Sequence, residues 1–316
     1  LGEAAQRAGR EVTGAAFERY LGVDWSGAEG EFHRGIQVAE FFAPTRTLRL
    51  LHPPEGSYWS RQAVLDFIKG QTDHRTLIGL DFCFSLPWSD DLADFPMCLR
   101  EMREVRDLWA FVDSFCATQP FFYAGPIWSS NKSPFRPFIK HRSGPASHEG
   151  HLFNGGRFRK TEIAARKLNV RPISVYRMVG PQVGTASFAG MRFLHALAGS
   201  PPKKIAIWPF DEIRQAKLAL CEVYPSLFYR VAGSSRPSER QVRIGAHIDH
   251  IADVFRFFNV QYALKGDESV DAIDALVIAA ALPAIAEHVD SFAALDDPIV
   301  GGKEGWIVGV PVGGVQ

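Results

Sequence analysis

The chain has 316 residues, with 35 Lys and Arg balancing 35 Asp and Glu, so a nucleic-acid coat held by bulk charge is excluded. Hydrophobic residues make up 46% and charged residues 22%, which fits a soluble globular chain with a sizeable core. No apolar run reaches the roughly 18 residues of a membrane helix, and four scattered cysteines without a C-x-x-C pair point to a reducing, cytoplasmic setting.

In chain order, residues 1–18 mix charges with alanines, lack the apolar core of a signal peptide and read as a tail. A strand is expected from Arg19 to Asp24, where the apolar run Leu21-Gly-Val23 ends in a carboxylate followed by small turn residues. Phe32 to Phe42 and Thr45 to Leu51 read as two further strands joined at Ala43-Pro44. Arg61 to Lys69 has the periodicity of a short amphipathic helix closed by Gly70. Thr76 to Leu80 is a fourth strand, again followed by an acid, Asp81. The long stretch from Phe82 to Lys217 reads as an insertion or second lobe, with helices at Met97–Phe115 and Lys160–Leu168. Ala219 to Glu222 is a fifth strand ending in a carboxylate. Ser238 to Phe258 is mainly helical in pattern, Asp267 to His288 is the clearest helix, and Gly305 to Val310 reads as a late strand.

The acids are the chemically suggestive feature. Carboxyl ends of parallel strands are where open α/β sheets bind ligands, and three such ends carry Asp24, Asp81 and Glu222. Asp271 and Asp274 are three apart, so on a helix they face one side. Taken alone, Asp271 is explained better by helix capping than by function. Asp274 lies a turn deeper among apolar residues, where a charge needs a partner. Crowded carboxylates repel and raise one another's pKa values. Mg²⁺ or Mn²⁺ relieves that repulsion with hard oxygen ligands, and two such ions about 4 Å apart can drive phosphodiester hydrolysis. The partner this implies is nucleic acid. Asn131 to Arg171 carries ten Lys and Arg against two Glu, interleaved with aromatic residues. Lys132, Arg136, Lys140, Arg157, Arg159 and Lys160 are the candidate phosphate contacts. A solvated basic face over a small aromatic core explains the same stretch equally well.

Gly22-Val-Asp24-Trp-Ser-Gly-Ala, Ile78-Gly-Leu-Asp81-Phe-Cys-Phe-Ser-Leu-Pro87, Lys160-Thr-Glu162, Glu222-Val-Tyr-Pro225, Asp271-Ala-Ile-Asp274-Ala-Leu-Val and Glu304-Gly-Trp-Ile307 together resemble an uncharacterised family of predicted RNase H-like nucleases, the domain of unknown function 429. The acidic helix is also similar to the last helix of Holliday-junction resolvases. The resemblance implies a mixed five-stranded α/β sheet in the order 3-2-1-4-5, flanked by helices, with a large α-rich insertion between strands four and five. It implies Asp24, Asp81 and Asp274 as metal ligands, with Asp271 as a further ligand or its neighbour. Members of the superfamily differ on whether the fifth strand, here Glu222, contributes an acid. Two rivals remain. An actin-like or sugar-kinase phosphotransferase also begins with Gly-x-Asp, but its second glycine-rich phosphate loop is missing. A non-catalytic nucleic-acid-binding or protein-binding module could keep the same fold.

Overall fold

The computed structural model describes residues 16–88, 96–141, 148–178, 183–199, 205–287, 292 and 295–312. Most of the expected N-terminal tail lies outside the described residues. The first half contains β1 (Arg19–Asp24), the two-residue β2 (Phe32–His33), β3 (Gln37–Phe42), β4 (Thr47–Leu51), the two-residue β5 (Trp59–Ser60), α1 (Arg61–Lys69), β6 (Thr76–Leu80), α2 (Val105–Phe115), α3 (Pro126–Ser129) and a small ladder of β7 (Lys140–His141) with β8 (His148–Glu149). There follow α4 (Lys160–Arg166), α5 (Val183–Ala198), β9 (Ile205–Ile207), β10 (Leu218–Glu222), α6 (Pro225–Val231), α7 (Glu239–Arg243), α8 (Ile248–Phe257) and α9 (Val270–Ala286).

Six strands form the central mixed sheet in the order β4-β3-β1-β6-β10-β9. β1 runs antiparallel to β3, and β3 antiparallel to β4; β1, β6, β10 and β9 are mutually parallel. β9 adds a sixth strand to the five expected. Alternation along each strand sends side chains to two cores. Tyr20, Ala39, Phe41, Leu77, Ala219 and Cys221 face α6, α8 and α9. Leu21, Val23, Val38, Ile78, Leu80 and Leu220 face α1, α2 and α5. The long segment after Asp81 therefore shares one face of the sheet with α1 and supplies the edge strand β9. Among the described residues no helix is long and apolar enough to cross a membrane.

Several expected elements differ in extent. Phe32 to Phe42 is broken at Arg34–Ile36, with His33 accepting the Ile36 N–H, so β2 leaves the main sheet to pair with β5. The helix expected from Met97 is a 3-10 turn at Met97–Leu99 and then α2, whose start is fixed by the Glu104–Asp107 capping box. Gly245, at φ 71°, separates α7 from α8. Gly305 to Val310 is not a strand: a single bridge joins Ile307 to Glu222, after a π-helical turn at Val300–Glu304.

Beyond Asp274, α9 is apolar on every side, and it is buried from Ala272 to Leu282, the pattern of a helix enclosed by its own protein. Ser269 caps it, accepting the Ala272 N–H at 3.1 Å. It lies across β1 and β3, and two glycines set its height above the sheet. A Cβ on Gly22 would stand 2.2 Å from the Ala275 carbonyl oxygen, and one on Gly79 would stand 2.8 Å from Ile278 Cγ2. Those glycines face each other in the β1–β6 register.

Candidate active site: a carboxylate cluster at the sheet edge

Asp24 and Asp81 each stand two residues beyond one of the paired glycines. Period-two alternation therefore puts both carboxyls at one level, on the face that α9 covers. The Asp81 N–H donates to the Val23 carbonyl at 3.0 Å, which holds the two strand ends together. Asp274 immediately precedes the α9 residue that touches Gly22, so the close packing that Gly22 permits also delivers its carboxyl to the same edge. Asp24 and Asp274 are 7% and 1% exposed, which leaves little water to solvate their charge.

Neutralisation comes from three sources. Asp24 and Asp81 share a hydrogen bond, which requires a proton on one of them, and burial is the main reason both pKa values rise. Asp24 is held well above its ordinary value by burial and then by the charges of Asp81, Asp274 and Asp271. Asp81 is pushed up to about 8 by burial and by Asp274. Asp274 is pushed up to about 6 by burial, against the pull of Arg236 and Tyr229. The Tyr229 hydroxyl donates to Asp274 Oδ1 at 2.8 Å, and Arg236 Nε donates to Asp274 Oδ2. The same guanidinium lies 3.8 Å from Asp271 Oδ1. Asp271 is one-third exposed, and burial raises its pKa too.

The structure thus brings together Asp24, Asp81, Asp274 and, at the rim, Asp271. It does not bring Glu222. Glu222 pairs with Leu80 in the β6–β10 register, one residue out of phase with Asp81, and so projects from the opposite face. There it accepts the Phe84 N–H at 2.9 Å and Arg159 Nη1 at 2.7 Å. Arg159 is fully buried between Glu222 and Glu162, so it is unavailable to a phosphate. Of the other expected phosphate contacts, Lys132 is exposed and Arg136 half-buried. Lys140 is paired with Glu149, and Lys160 with Asp297. Arg157 donates to the Leu152 carbonyl and lies 4.9 Å over the Phe138 ring. Of the five rings interleaved with these charges, Trp128, Phe135 and Phe138 are core residues, whereas Phe153 and Phe158 are half-buried, under Lys140 and Arg166. Ser26 Oγ accepts the Ala28 N–H at 3.3 Å and shapes the turn after Asp24.

Among the described residues no three His, Cys, Asp or Glu side chains are disposed as a metal-ligand group. The chemistry of the donor set nevertheless fits a hard divalent cation. The oxygens belong to two buried carboxyls, Asp24 and Asp274, and the half-buried Asp81; Asp24 and Asp81 are both pushed toward the protonated form, and Asp274 already carries a cationic side chain. Arg236 and Tyr229 were missed in the sequence. Arg236 sits in a Ser-Ser-Arg-Pro-Ser loop that resembles an ordinary turn, and Tyr229 belongs to α6, whose seven residues are too few to show periodicity. Comparison of the chain with protein-family models, curated proteins and solved structures finds no match.

Proposed function

We propose that the protein is a metal-dependent nuclease of RNase H-like fold that hydrolyses phosphodiester bonds. The observation that carries the reading is the meeting of Asp24, Asp81 and Asp274, from two adjacent parallel strand ends and one crossing helix, with Asp24 and Asp274 buried and Asp81 half-buried. The order and sense of β4-β3-β1-β6-β10 support it, since they correspond to the 3-2-1-4-5 arrangement that the sequence resemblance implies. Four free cysteines, three of them buried, suit a reducing, cytoplasmic setting.

Asp24, Asp81 and Asp274 are the residues that would hold Mg²⁺ or Mn²⁺. A pair of such ions supplies an activated water and stabilises the leaving oxygen. The chain's own part is to prepare the donors. Asp24 and Asp81 give up their shared proton, Tyr229 orients Asp274 through Oδ1, and Arg236, on the solvent side, releases Oδ2. With its side chain 46% exposed, Arg236 presents positive charge where a phosphate would arrive.

The test joins metal binding with cleavage. Calorimetric titration with Mn²⁺ is expected to show binding that Asp24→Asn removes. On a panel of DNA and RNA substrates, Asp24→Asn and Asp274→Asn are expected to abolish cleavage while far-UV circular dichroism stays unchanged. Cleavage at the wild-type rate by either purified variant overturns the assignment. Absence of metal binding, with or without nucleic acid, leaves a non-catalytic binding module.

A further inference from the structure

Of the rings that lie among the basic residues, Trp128, Phe135 and Phe138 are buried and Phe153 and Phe158 half-buried, yet large aromatic side chains are more exposed elsewhere. Phe32, Tyr58 and Phe121 are 56%, 47% and 40% exposed. Phe121 is unusual in its backbone. It and Phe122 have φ of 55° and 58°, two consecutive bulky residues in the left-handed region that glycine prefers. Such strain persists only where surrounding structure enforces it.

Two buried arginines enforce it here. Arg192 Nη1 donates to the carbonyls of Gln119 and Tyr123 at 3.1 and 2.6 Å, and Arg61 Nη1 donates to that of Phe121. Phe122 is packed inward against Phe193, at 6.1 Å between ring centroids, while the Phe121 ring is left facing solvent. Arg61 is itself fully buried, and its remaining donors bind the carbonyls of Ser26 and Ala28, two and four residues after Asp24. The turn that displays Phe121 is thereby tied to the loop leaving the carboxylate site.

The other two rings stand on the same support. Arg61 follows Ser60, Ser60 pairs with Phe32, and Tyr58 is two residues before Ser60. Three residues beyond Phe32, a Cβ on Gly35 would lie 3.6 Å from Asp271 Oδ2 and 3.7 Å from Ser26 Cβ, so this segment borders the acidic cluster. Arg34 is exposed beside Asp271, whose charge it favours.

We propose that Phe121, together with Phe32 and Tyr58, is a stacking platform for unpaired bases of a single-stranded segment whose backbone enters the carboxylate site. This assignment rests on the nuclease reading and narrows its substrate to nucleic acid with unpaired bases, DNA or RNA. Stacking on exposed rings is tolerant of sequence because every base has a π face. A duplex keeps its bases inside and gains nothing from the platform.

Glycine at position 121 accepts the left-handed backbone, so Phe121→Gly removes the ring without disturbing the turn. Binding is read by fluorescence anisotropy in EDTA, with labelled oligo-dT, oligo-U and a blunt DNA duplex. Phe121→Gly is expected to weaken single-strand binding by about 5- to 150-fold. It is expected to leave duplex binding unchanged and the melting temperature equal or higher. Phe121→Trp is expected to bind single strands as the wild type does, and Phe32→Ala with Tyr58→Ala to weaken them. A larger effect on oligo-dT or on oligo-U identifies which strand the site takes. Wild-type single-strand affinity in Phe121→Gly, or equal losses for single strand and duplex, overturns the platform. The Mn²⁺ titration separates the two ideas: metal binding intact beside unaltered oligonucleotide binding removes the platform alone, whereas oligonucleotide binding without metal binding removes the nuclease reading.

Discussion

Arg236 is the residue on which the state of the carboxylate cluster turns. Its guanidinium neutralises Asp274, which is 1% exposed, and reaches toward Asp271 at 3.8 Å. A divalent cation that takes Asp274 as a ligand must displace that contact. Arg236→Gln is therefore expected to tighten Mn²⁺ binding by about fivefold, the worth of a partly exposed ion pair. Weaker binding, read by the same calorimetric titration, would show that Arg236 orients Asp274 for the metal and does not compete with it. The contrast between Asp81 and Glu222 shows what sequence can and cannot deliver at this scale. Both are carboxylates beside apolar runs, but Gly-x-Asp at Gly22 and Gly79 puts each Asp in phase with its glycine, while Glu222 directly follows Cys221, the residue level with Gly79. A slip of one residue reverses the face. That register depends on β6 and β10 pairing across more than a hundred residues of chain, which local pattern does not encode. The ion pair with Arg159 is equally non-local.

At the scale of elements, the site depends on how closely α9 approaches the sheet. Gly22→Ala places a methyl group 2.2 Å from the Ala275 carbonyl oxygen, backbone that cannot turn aside. The helix must lift, and overpacking of this kind costs about 1–3 kcal/mol or more. Urea unfolding is expected to report that loss. Mn²⁺ titration is expected to show weaker binding as well, because Asp274 moves away from Asp24 with the helix. Unchanged stability and affinity would mean that α9 is not the carrier of the site's geometry. β1, β3, β4, β6, β10 and α9 were legible because each has a strong apolar period or run. α5 was not: Gly184 and Gly190 lower its propensity, and both are there for close contacts, with Met178 and with the Phe82 ring. β9 is three residues long, too short for any period.

At the scale of the whole molecule, the balanced charge conceals a concentration of buried acid at one sheet edge, and folding stability should report it through pH. The folded chain keeps a proton on the Asp24–Asp81 pair up to about pH 8, whereas the unfolded chain loses it near the ordinary aspartate value of 3.8. Between those limits the folded state binds more protons, so stability falls as pH rises. Asp274, pushed up to about 6, acts in the same direction. His33, which burial pushes down to about 4 from its ordinary 6.5, acts in the opposite direction below 6.5. The carboxyl contribution therefore stands clear between 6.5 and about 8. In EDTA, the urea midpoint of the wild type is expected to drop across that window, and that of Asp81→Asn to stay flatter. Saturating Mn²⁺ is expected to flatten the slope, because a cation on the carboxylates replaces the proton and the folded state then binds no more protons there than the unfolded one. A wild-type midpoint in EDTA that does not move from pH 6.5 to 8 would mean that the two carboxyls do not share a proton, and that water or another donor relieves them.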